Sequence, residues 1–189
     1  MADILLFHHI QGLTAGVQEF ADDLRRAGHT VHVPDLFDGR TFGSIEEGFA
    51  YAQDAGFETL RERGVAAADG LGADLVYTGF SFGVMIAQQL AQNRPGARGA
   101  LLLHSCIPLA EFGGVWPAEV PVQIHGMEGD EFFDEDLPAA RDLVAVAADA
   151  ELFVYPGDKH LFTDSSLDAY DPEAAALVRE RVHGFLGRL

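Results

Sequence analysis

The residues that could carry chemistry begin with a serine that follows an apolar run. Ser81 lies in the string Gly79-Phe-Ser-Phe-Gly83, after an apolar run from Leu75 and before a helical pattern that extends to Leu90. A strand, a sharp turn and a helix in that order place the serine on a strained turn at the carboxyl edge of a sheet. Unpaired amides and the helix dipole stabilise negative charge there, which a tetrahedral oxyanion needs. The pattern therefore favours a nucleophile over a serine in an ordinary glycine-rich connection.

A serine nucleophile requires a base and an acid, and the chain offers both after other apolar runs. Asp130 and His160 each follow a run of strand type. The imidazole removes the serine proton and returns it to the leaving group, and the carboxylate fixes the imidazole tautomer. The order serine, acid, histidine is that of α/β-hydrolases. We expect Ser81, Asp130 and His160 to form a triad, with Asp158 as the alternative acid.

Backbone amides and apolar side chains at the same edge complete the expected site. The amide of Phe82, after the serine, and that of Ile10 or Gln11 in the first loop could hold the oxyanion. His9 could contact the site or be an ordinary loop histidine. Several apolar side chains in predicted loops could line an acyl pocket or pack loops onto the sheet. They are Phe37, Phe42, Trp116, Phe132, Leu161 and Phe162.

The elements that must position these residues alternate between strand and helix patterns. Strand-type runs are Ile4–His8, Thr30–Val33, Leu75–Thr78, Ala100–His104, Val120–His125 and Glu151–Tyr155. Helical patterns are Thr14–Ala27, Ser44–Leu71 with breaks near Gly56 and Gly64, the segment after Ser81, Leu137–Ala148, and the segment from Asp171. This alternation predicts an α/β fold of about six mostly parallel strands with helices on both faces, and ligands at the carboxyl edge.

Length and composition bound the classes of partner. A chain of 189 residues that is 48% hydrophobic predicts a single domain over residues 1–189. Its 12 basic and 30 acidic residues give a net charge of −18, which disfavours nucleic acid and anionic membranes as partners. The single cysteine, Cys106, rules out an internal disulfide, and the amino terminus lacks a secretory pattern. We therefore expect a cytoplasmic protein that acts on a small molecule.

No cofactor or metal is expected. The chain has neither a dinucleotide-binding glycine fingerprint nor a P-loop. His8, His9, His104 and His125 could converge, but adjacent strand residues point to opposite faces and no carboxylate spacing supports coordination.

Four segments carry a resemblance to a known family. They are Pro34–Arg40 with the sequence PDLFDGR, Gly79–Gly83, His125–Asp130 and Tyr155–Phe162. On these segments, and over nearly its whole length, the chain resembles the dienelactone hydrolase family of α/β-hydrolases. The resemblance implies a triad of Ser81, Asp130 and His160, with the amides of Ile10 and Phe82 as oxyanion donors.

The chain also departs from the family's namesake enzymes at three positions. Those enzymes have a cysteine where this chain has Ser81, an activating glutamate at the position aligned with His9, and a carboxylate-binding arginine at the position of Asp164. An anionic dienelactone is therefore not the expected substrate.

The expected function is hydrolysis of a small carboxylic ester or lactone through an acyl-enzyme on Ser81, with His9, Phe37, Trp116 and Phe162 as pocket residues. Two alternatives are thioester hydrolysis or acyl transfer by the same triad, and an idle scaffold that binds a ligand. The sequence leaves the oligomeric state, the natural substrate and a lid role for residues 105–117 open.

Overall fold

A computed structural model describes residues 1–189, and its centre is one six-stranded parallel sheet in the order β2-β1-β3-β4-β5-β6. The strands are β1 (Asp3–Phe7), β2 (Thr30–His32), β3 (Leu75–Phe80), β4 (Gly99–Leu103), β5 (Val122–Met127) and β6 (Ala150–Tyr155). The helices are α1 (Ala15–Arg26), α2 (Ile45–Ala55), α3 (Phe57–Ala66), α4 (Phe82–Asn93), α5 (Glu131–Val146) and α6 (Pro172–Arg188), with a 3₁₀ turn at Leu109–Phe112.

The central strands are buried along their whole length, which explains their continuous apolar sequences. Every residue of β3, β4 and β5 is buried. One apolar cluster of 27 buried residues lies on one face of the sheet and a second of 20 lies on the other. Helices therefore cover both faces, as parallel strands joined by helical crossovers require. The predicted single α/β domain with about six strands is confirmed.

Side-chain caps fix where several helices begin. The hydroxyl of Thr14 accepts a hydrogen bond from the amide of Val17 at the start of α1. Ser44 caps α2 in the same way, and Asp171 caps α6 in front of the first-turn proline Pro172. These side-chain oxygens satisfy amides that have no partner within the helix.

Two helix boundaries differ from the prediction. The predicted break at Gly56 separates α2 from α3, whereas Gly64 lies within α3, where a Cβ would lie 2.5 Å from Cδ1 of Ile86. Helix α5 begins at Glu131, six residues before the predicted start, and contains Pro138 in its interior. Proline lacks the amide donor of an interior helix position, so the sequence before Pro138 does not show a helical pattern that continues through it. The correction makes Asp130 a helix cap.

The segment 105–117 is held against α4 by three amide side chains. Gln88 Nε2 donates to the carbonyl of Ile107 at 2.6 Å, and Gln88 Oε1 accepts from the Ile107 amide at 2.9 Å. Gln92 donates to the carbonyls of Leu109 and Val115, and Asn93 donates to the carbonyl of Phe112. The segment is thus part of the packed wall beside the sheet edge. Separately, none of the helices combines the length and apolar character needed to cross a membrane.

Candidate active site

Ser81 lies on the sharp turn between β3 and α4. Its backbone has φ 48° and ψ −110°, a conformation that non-glycine residues adopt at a cost of about 1–3 kcal/mol. The two flanking glycines are needed for close approach. A Cβ on Gly79 would lie 2.5 Å from the carbonyl of Gly83, and one on Gly83 would lie 2.4 Å from the carbonyl oxygen of Phe7. The turn therefore brings α4 into close contact with β1 and places the Ser81 hydroxyl at the carboxyl edge of the sheet.

The structure brings the hydroxyl of Ser81, the imidazole of His160 and the carboxylate of Asp130 into one hydrogen-bonded chain. Ser81 Oγ lies 2.8 Å from His160 Nε2, and His160 Nδ1 lies 2.6 Å from Asp130 Oδ2. With a proton on Nδ1, the imidazole donates to Asp130 and accepts the proton of Ser81. This is the tautomer that a general base requires.

Asp130 is positioned by the start of α5 as well as by β5. Its Oδ1 accepts a hydrogen bond from the amide of Phe132 at 3.1 Å, so one carboxylate oxygen caps the helix while the other holds His160. Asp130 is 1% exposed and the His160 side chain 7% exposed. The ring of Phe132 lies 4.7 Å from the His160 ring, centroid to centroid, and shields the pair from water.

The amides of Ile10 and Phe82 border the same site. Phe82 is the first residue of α4, so its N–H precedes the first intrahelical hydrogen bond. The Ile10 amide donates to no group within the protein. The peptide that carries it is fixed through its carbonyl, since His9 O accepts from Gly12 N at 3.0 Å and from His8 Nδ1 at 2.8 Å. Because a trans peptide points its N–H away from its carbonyl, these two bonds orient the Ile10 N–H.

His8 is held in place for that contact. Its Nε2 accepts a hydrogen bond from the amide of Leu36 at 3.0 Å, which leaves the proton on Nδ1 to donate to His9 O. Burial lowers the pKa of His8 to about 4, so the ring is neutral at pH 7. The first loop is therefore anchored to the loop that follows β2.

Two cavities meet at the Ser81 hydroxyl, and both are also lined by Phe57, Phe82, Phe132 and His160. The first, the polar lobe, has a volume of about 270 Å³ and is completed by Met85, His104, Ser105, Ile107, Glu135 and Asp136. The second, the apolar lobe, has a volume of about 210 Å³ and is completed by Ile10, Ile45 and Phe49. A ligand at Ser81 therefore has two lobes available to it.

The structure corrects the predicted pocket residues, because His9, Phe37, Trp116 and Phe162 line neither lobe. Phe37 and Phe162 are fully buried in opposite cores. Trp116 is 5% exposed, and its indole N–H donates to the carbonyl of Val120 at 2.7 Å. These rings pack loops onto the sheet.

Four phenylalanines line the lobes, and one of them, Phe132, is among the predicted pocket residues. Sequence reasoning missed Phe49 of α2 and Phe57 of α3. Phe49 is 51% exposed, so it lies off the helix face that packs on the core. Large apolar residues on the outward face of a helix were the available signal.

His9 is bonded to Asp164 instead of contacting the cavity. Its Nε2 donates to Asp164 Oδ2 at 2.7 Å, and its Nδ1 accepts from the Gln11 amide at 3.2 Å. Both side chains are almost completely buried. His9 and Asp164 thus form a buried hydrogen-bonded pair. That pair ties the first loop to the loop that follows His160.

Two further side chains near the site, those of His104 and Cys106, are buried. Burial lowers the pKa of His104 well below its usual range, so this histidine is neutral, and its Nε2 lies 2.7 Å from Thr163 Oγ1. Burial, and then the charge of Asp136, raise the pKa of the Cys106 thiol to about 12. No group of three or more His, Cys, Asp or Glu side chains is arranged to hold a metal ion.

Comparison with known proteins places the chain in a family. The model of the dienelactone hydrolase family matches residues 2–189. Among curated proteins, no sequence matches the chain significantly.

Solved structures share the fold at low sequence identity. A dienelactone hydrolase candidate of Klebsiella pneumoniae subsp. pneumoniae MGH 78578 superposes with a TM-score of 0.76 at 20% identity, over 100% of this chain and 88% of that one. A dienelactone hydrolase-like promiscuous phosphotriesterase from metagenomic libraries gives 0.76 at 18% identity, over 100% and 87%. A thermophilic esterase of the Planctomycetes species Thermogutta terrifontis, solved with propionate bound, gives 0.64 at 18% identity, over 99% and 83%. The chain belongs to the dienelactone hydrolase family, and it is a dienelactone hydrolase-like carboxylic ester hydrolase with the α/β-hydrolase fold.

Proposed function

We propose that the protein is a serine hydrolase that cleaves a small carboxylic ester or lactone through an acyl-enzyme on Ser81. The observation that carries the proposal is the continuous hydrogen-bonded chain from Asp130 through His160 to Ser81, with distances of 2.6 and 2.8 Å, at a hydroxyl that opens into two cavities. The stability of the fold does not require a buried acid and base in contact with a strained, accessible serine.

In the first half of the reaction, the Ser81 oxygen attacks the ester carbonyl while His160 Nε2 takes the hydroxyl proton. The carbonyl oxygen becomes an oxyanion, which accepts hydrogen bonds from the amides of Ile10 and Phe82. One such donor is worth about 3 kcal/mol of transition-state stabilisation. Asp130 stabilises the imidazolium. The proton then passes from Nε2 to the alkoxide leaving group, the alcohol departs, and Ser81 carries the acyl group.

In the second half, water attacks the acyl-enzyme. His160 Nε2 takes one proton of the water, and the oxyanion forms again at the same two amides. Collapse of the intermediate breaks the bond between the acyl carbon and Ser81, whose oxygen recovers the proton from His160. The carboxylic acid is released. For a lactone the alcohol stays attached to the acid, so the product is a hydroxy acid.

The dimensions of the site favour small substrates. The lobes hold about 270 and 210 Å³, near or below the lower end of the range for pockets that bind drug-sized ligands. The Thermogutta esterase was solved with propionate, a short carboxylate, and a similarly short acyl group fits the apolar lobe proposed here. We also propose that the protein is cytoplasmic and that its substrate is a small molecule.

The test is the hydrolysis of short-chain nitrophenyl esters by the native protein and by Ser81→Ala. Loss of the nucleophile should lower kcat by about 10⁴-fold or more. Ser165→Ala, a loop serine whose hydroxyl contacts Glu19, is the matched control and should keep the native rate. Equal rates in the native protein and Ser81→Ala would overturn the proposal. Product analysis with added alcohols and with thioesters separates hydrolysis from acyl transfer and thioester cleavage.

A further inference from the structure

The polar lobe contains two acidic side chains and no basic one. Glu135 and Asp136, both on α5, line the polar lobe. Ser105 lines it as well, and no lysine or arginine does. Neither carboxylate forms an ion pair with another residue. The polar lobe therefore presents negative charge to whatever part of the substrate enters it.

One oxygen of Asp136 is fixed by the protein and the other is free to bind a ligand. Oδ2 accepts hydrogen bonds from the hydroxyl of Ser105 at 2.6 Å and from the amide of Cys106 at 3.3 Å. Oδ1 accepts no hydrogen bond from the protein, although an ionised carboxylate oxygen has room for two. Because the fixed oxygen sets the orientation of the group, Oδ1 is a pre-oriented acceptor.

A second, independent feature of the same lobe also lacks a protein partner. His104 is fully buried at the lobe wall, and its Nδ1 has no hydrogen-bond partner within the protein. Its backbone has φ 68°, a strained conformation for a residue with a side chain. Unpaired buried polar atoms cost free energy, so they are rare without a ligand or water to meet them.

The other lobe has no carboxylate in its wall. Apart from Ser81 and His160, all the side chains of the apolar lobe are aliphatic or aromatic. The two sides of the ester carbonyl therefore meet different environments. A substrate that matches both carries an apolar group on one side and a polar, hydrogen-bond-donating or cationic group on the other.

Resting on the hydrolase function proposed above, we propose that the site selects esters that carry a cationic group on one side of the carbonyl, bound in the polar lobe by Asp136 and Glu135. The two carboxylates line the cavity at Ser81 with no lysine or arginine beside them. A cationic group there would therefore gain Coulomb energy that an anionic group would lose.

The test compares esters that differ only in charge. Choline butyrate is paired with its isostere in which carbon replaces nitrogen, which places the charge on the alcohol side. A second pair, the methyl esters of trimethylammoniobutyrate and of its carbon isostere, places it on the acyl side. In one of the two pairs, kcat/KM of the cationic ester should exceed that of the neutral ester by about 10-fold, in line with close charge pairs at interfaces. The preference should shrink at high salt, because salt screens charges.

Charge-removing variants assign the preference to these residues. Glu135→Gln with Asp136→Asn should bring the ratio of cationic to neutral kcat/KM close to unity. Asp142→Asn removes the same charge from an exposed position on α5 and should keep the native ratio. Both rates in each ratio are measured on the same protein sample. A smaller folded fraction in a variant lowers both rates equally and leaves their ratio unchanged.

The outcomes separate this inference from the function that it rests on. Hydrolysis of neutral esters that depends on Ser81, with equal rates for the cationic and neutral members of both pairs, would overturn the cation preference and leave the hydrolase intact. A native preference that survives in the double variant would overturn the assignment to Glu135 and Asp136. Absence of hydrolysis with every ester would overturn the proposed function together with the inference.

Discussion

Replacing Asp164 by asparagine keeps the shape of a buried side chain and removes its charge. Asp164 is 2% exposed. Its carboxylate accepts hydrogen bonds from His9 Nε2 at 2.7 Å, from the Thr14 hydroxyl, and from the amide and hydroxyl of Ser166 at 2.9 and 2.6 Å. All four partners are donors in this arrangement. An asparagine amide nitrogen would face one or more of them as a second donor.

The pKa of Asp164 gives the size of the effect. Burial by itself raises this pKa, but the hydrogen bonds from His9, Ser166 and Thr14 outweigh burial and lower it from 3.8 to about 2. A shift of that size corresponds to about 2 kcal/mol of folding free energy. Because the pKa is lower in the folded protein, the stabilisation is complete above pH 3.8 and is lost as the pH falls through 2.

Urea unfolding of the native protein and of Asp164→Asn measures this contribution. At pH 7 the variant should be less stable by about 2 kcal/mol or more, and the difference should narrow by about 1 kcal/mol at pH 3. Asp168→Asn, an exposed position in the same loop, is the matched control and should show no such change. A stability difference that stays constant from pH 7 to pH 3 would refute the reasoning.

The same variant also tests whether the pair of His9 and Asp164 takes part in the chemistry. The pair anchors the first loop to the loop that follows His160. The folded variant should therefore keep kcat within a few-fold of the native value. A loss as large as that of Ser81→Ala would instead show that the pair takes part in the chemistry.

Three further substitutions or reactions test separate parts of the site. His8→Phe removes the hydrogen bond to the carbonyl of His9 and should lower kcat by about 10-fold with little change in KM, because the oxyanion forms only in the transition state. Gly83→Ala places a Cβ 2.4 Å from the carbonyl oxygen of Phe7 and should abolish esterase activity and lower the melting temperature. Cys106, with its pKa raised to about 12 by burial, should resist iodoacetamide at pH 8 until the protein unfolds, as mass spectrometry of the alkylated protein would show.

One control variant and two contradicting outcomes make these results specific. A Cβ added to Gly184 of α6 would meet no atom within 4 Å, so Gly184→Ala should keep full activity and match the native melting temperature or exceed it. For His8→Phe, an unchanged kcat at full folding would contradict the role given to the carbonyl contact. Alkylation of Cys106 in the folded, active protein would contradict its burial.

The spacing of apolar residues and the positions of glycines predict the fold because each reflects a local requirement for burial or for close backbone contact. The strand runs read as continuous apolar segments since their residues are buried on both faces, as in β3 and β4. The sequence predicts the turn at Ser81 because only glycine fits at positions 79 and 83, where a Cβ would meet backbone atoms. Parallel strands send their carboxyl ends to one edge, which is why the order of Ser81, Asp130 and His160 along the chain predicts their contact.

The residues that line the pocket could not be predicted from the sequence in the same way. Phe37 and Phe162 occupy loops at the correct edge, but whether a loop aromatic faces the core or the cavity depends on how the loop folds back. Phe49 and Phe57 reach the cavity because α2 and α3 pack across it, which depends on contacts distant in sequence. The start of α5 was hidden by the interior Pro138, so the capping role of Asp130 was visible only in the structure.

The most direct test of the central claim is covalent capture of the nucleophile. The folded protein is treated with a fluorophosphonate, and the site of modification is mapped by peptide mass spectrometry. The account predicts a single adduct on Ser81, absent from Ser81→Ala and formed much more slowly in His160→Gln, because the attacking oxygen must lose its proton to the imidazole at 2.8 Å. No adduct on the folded protein, or an adduct on another serine, would contradict it.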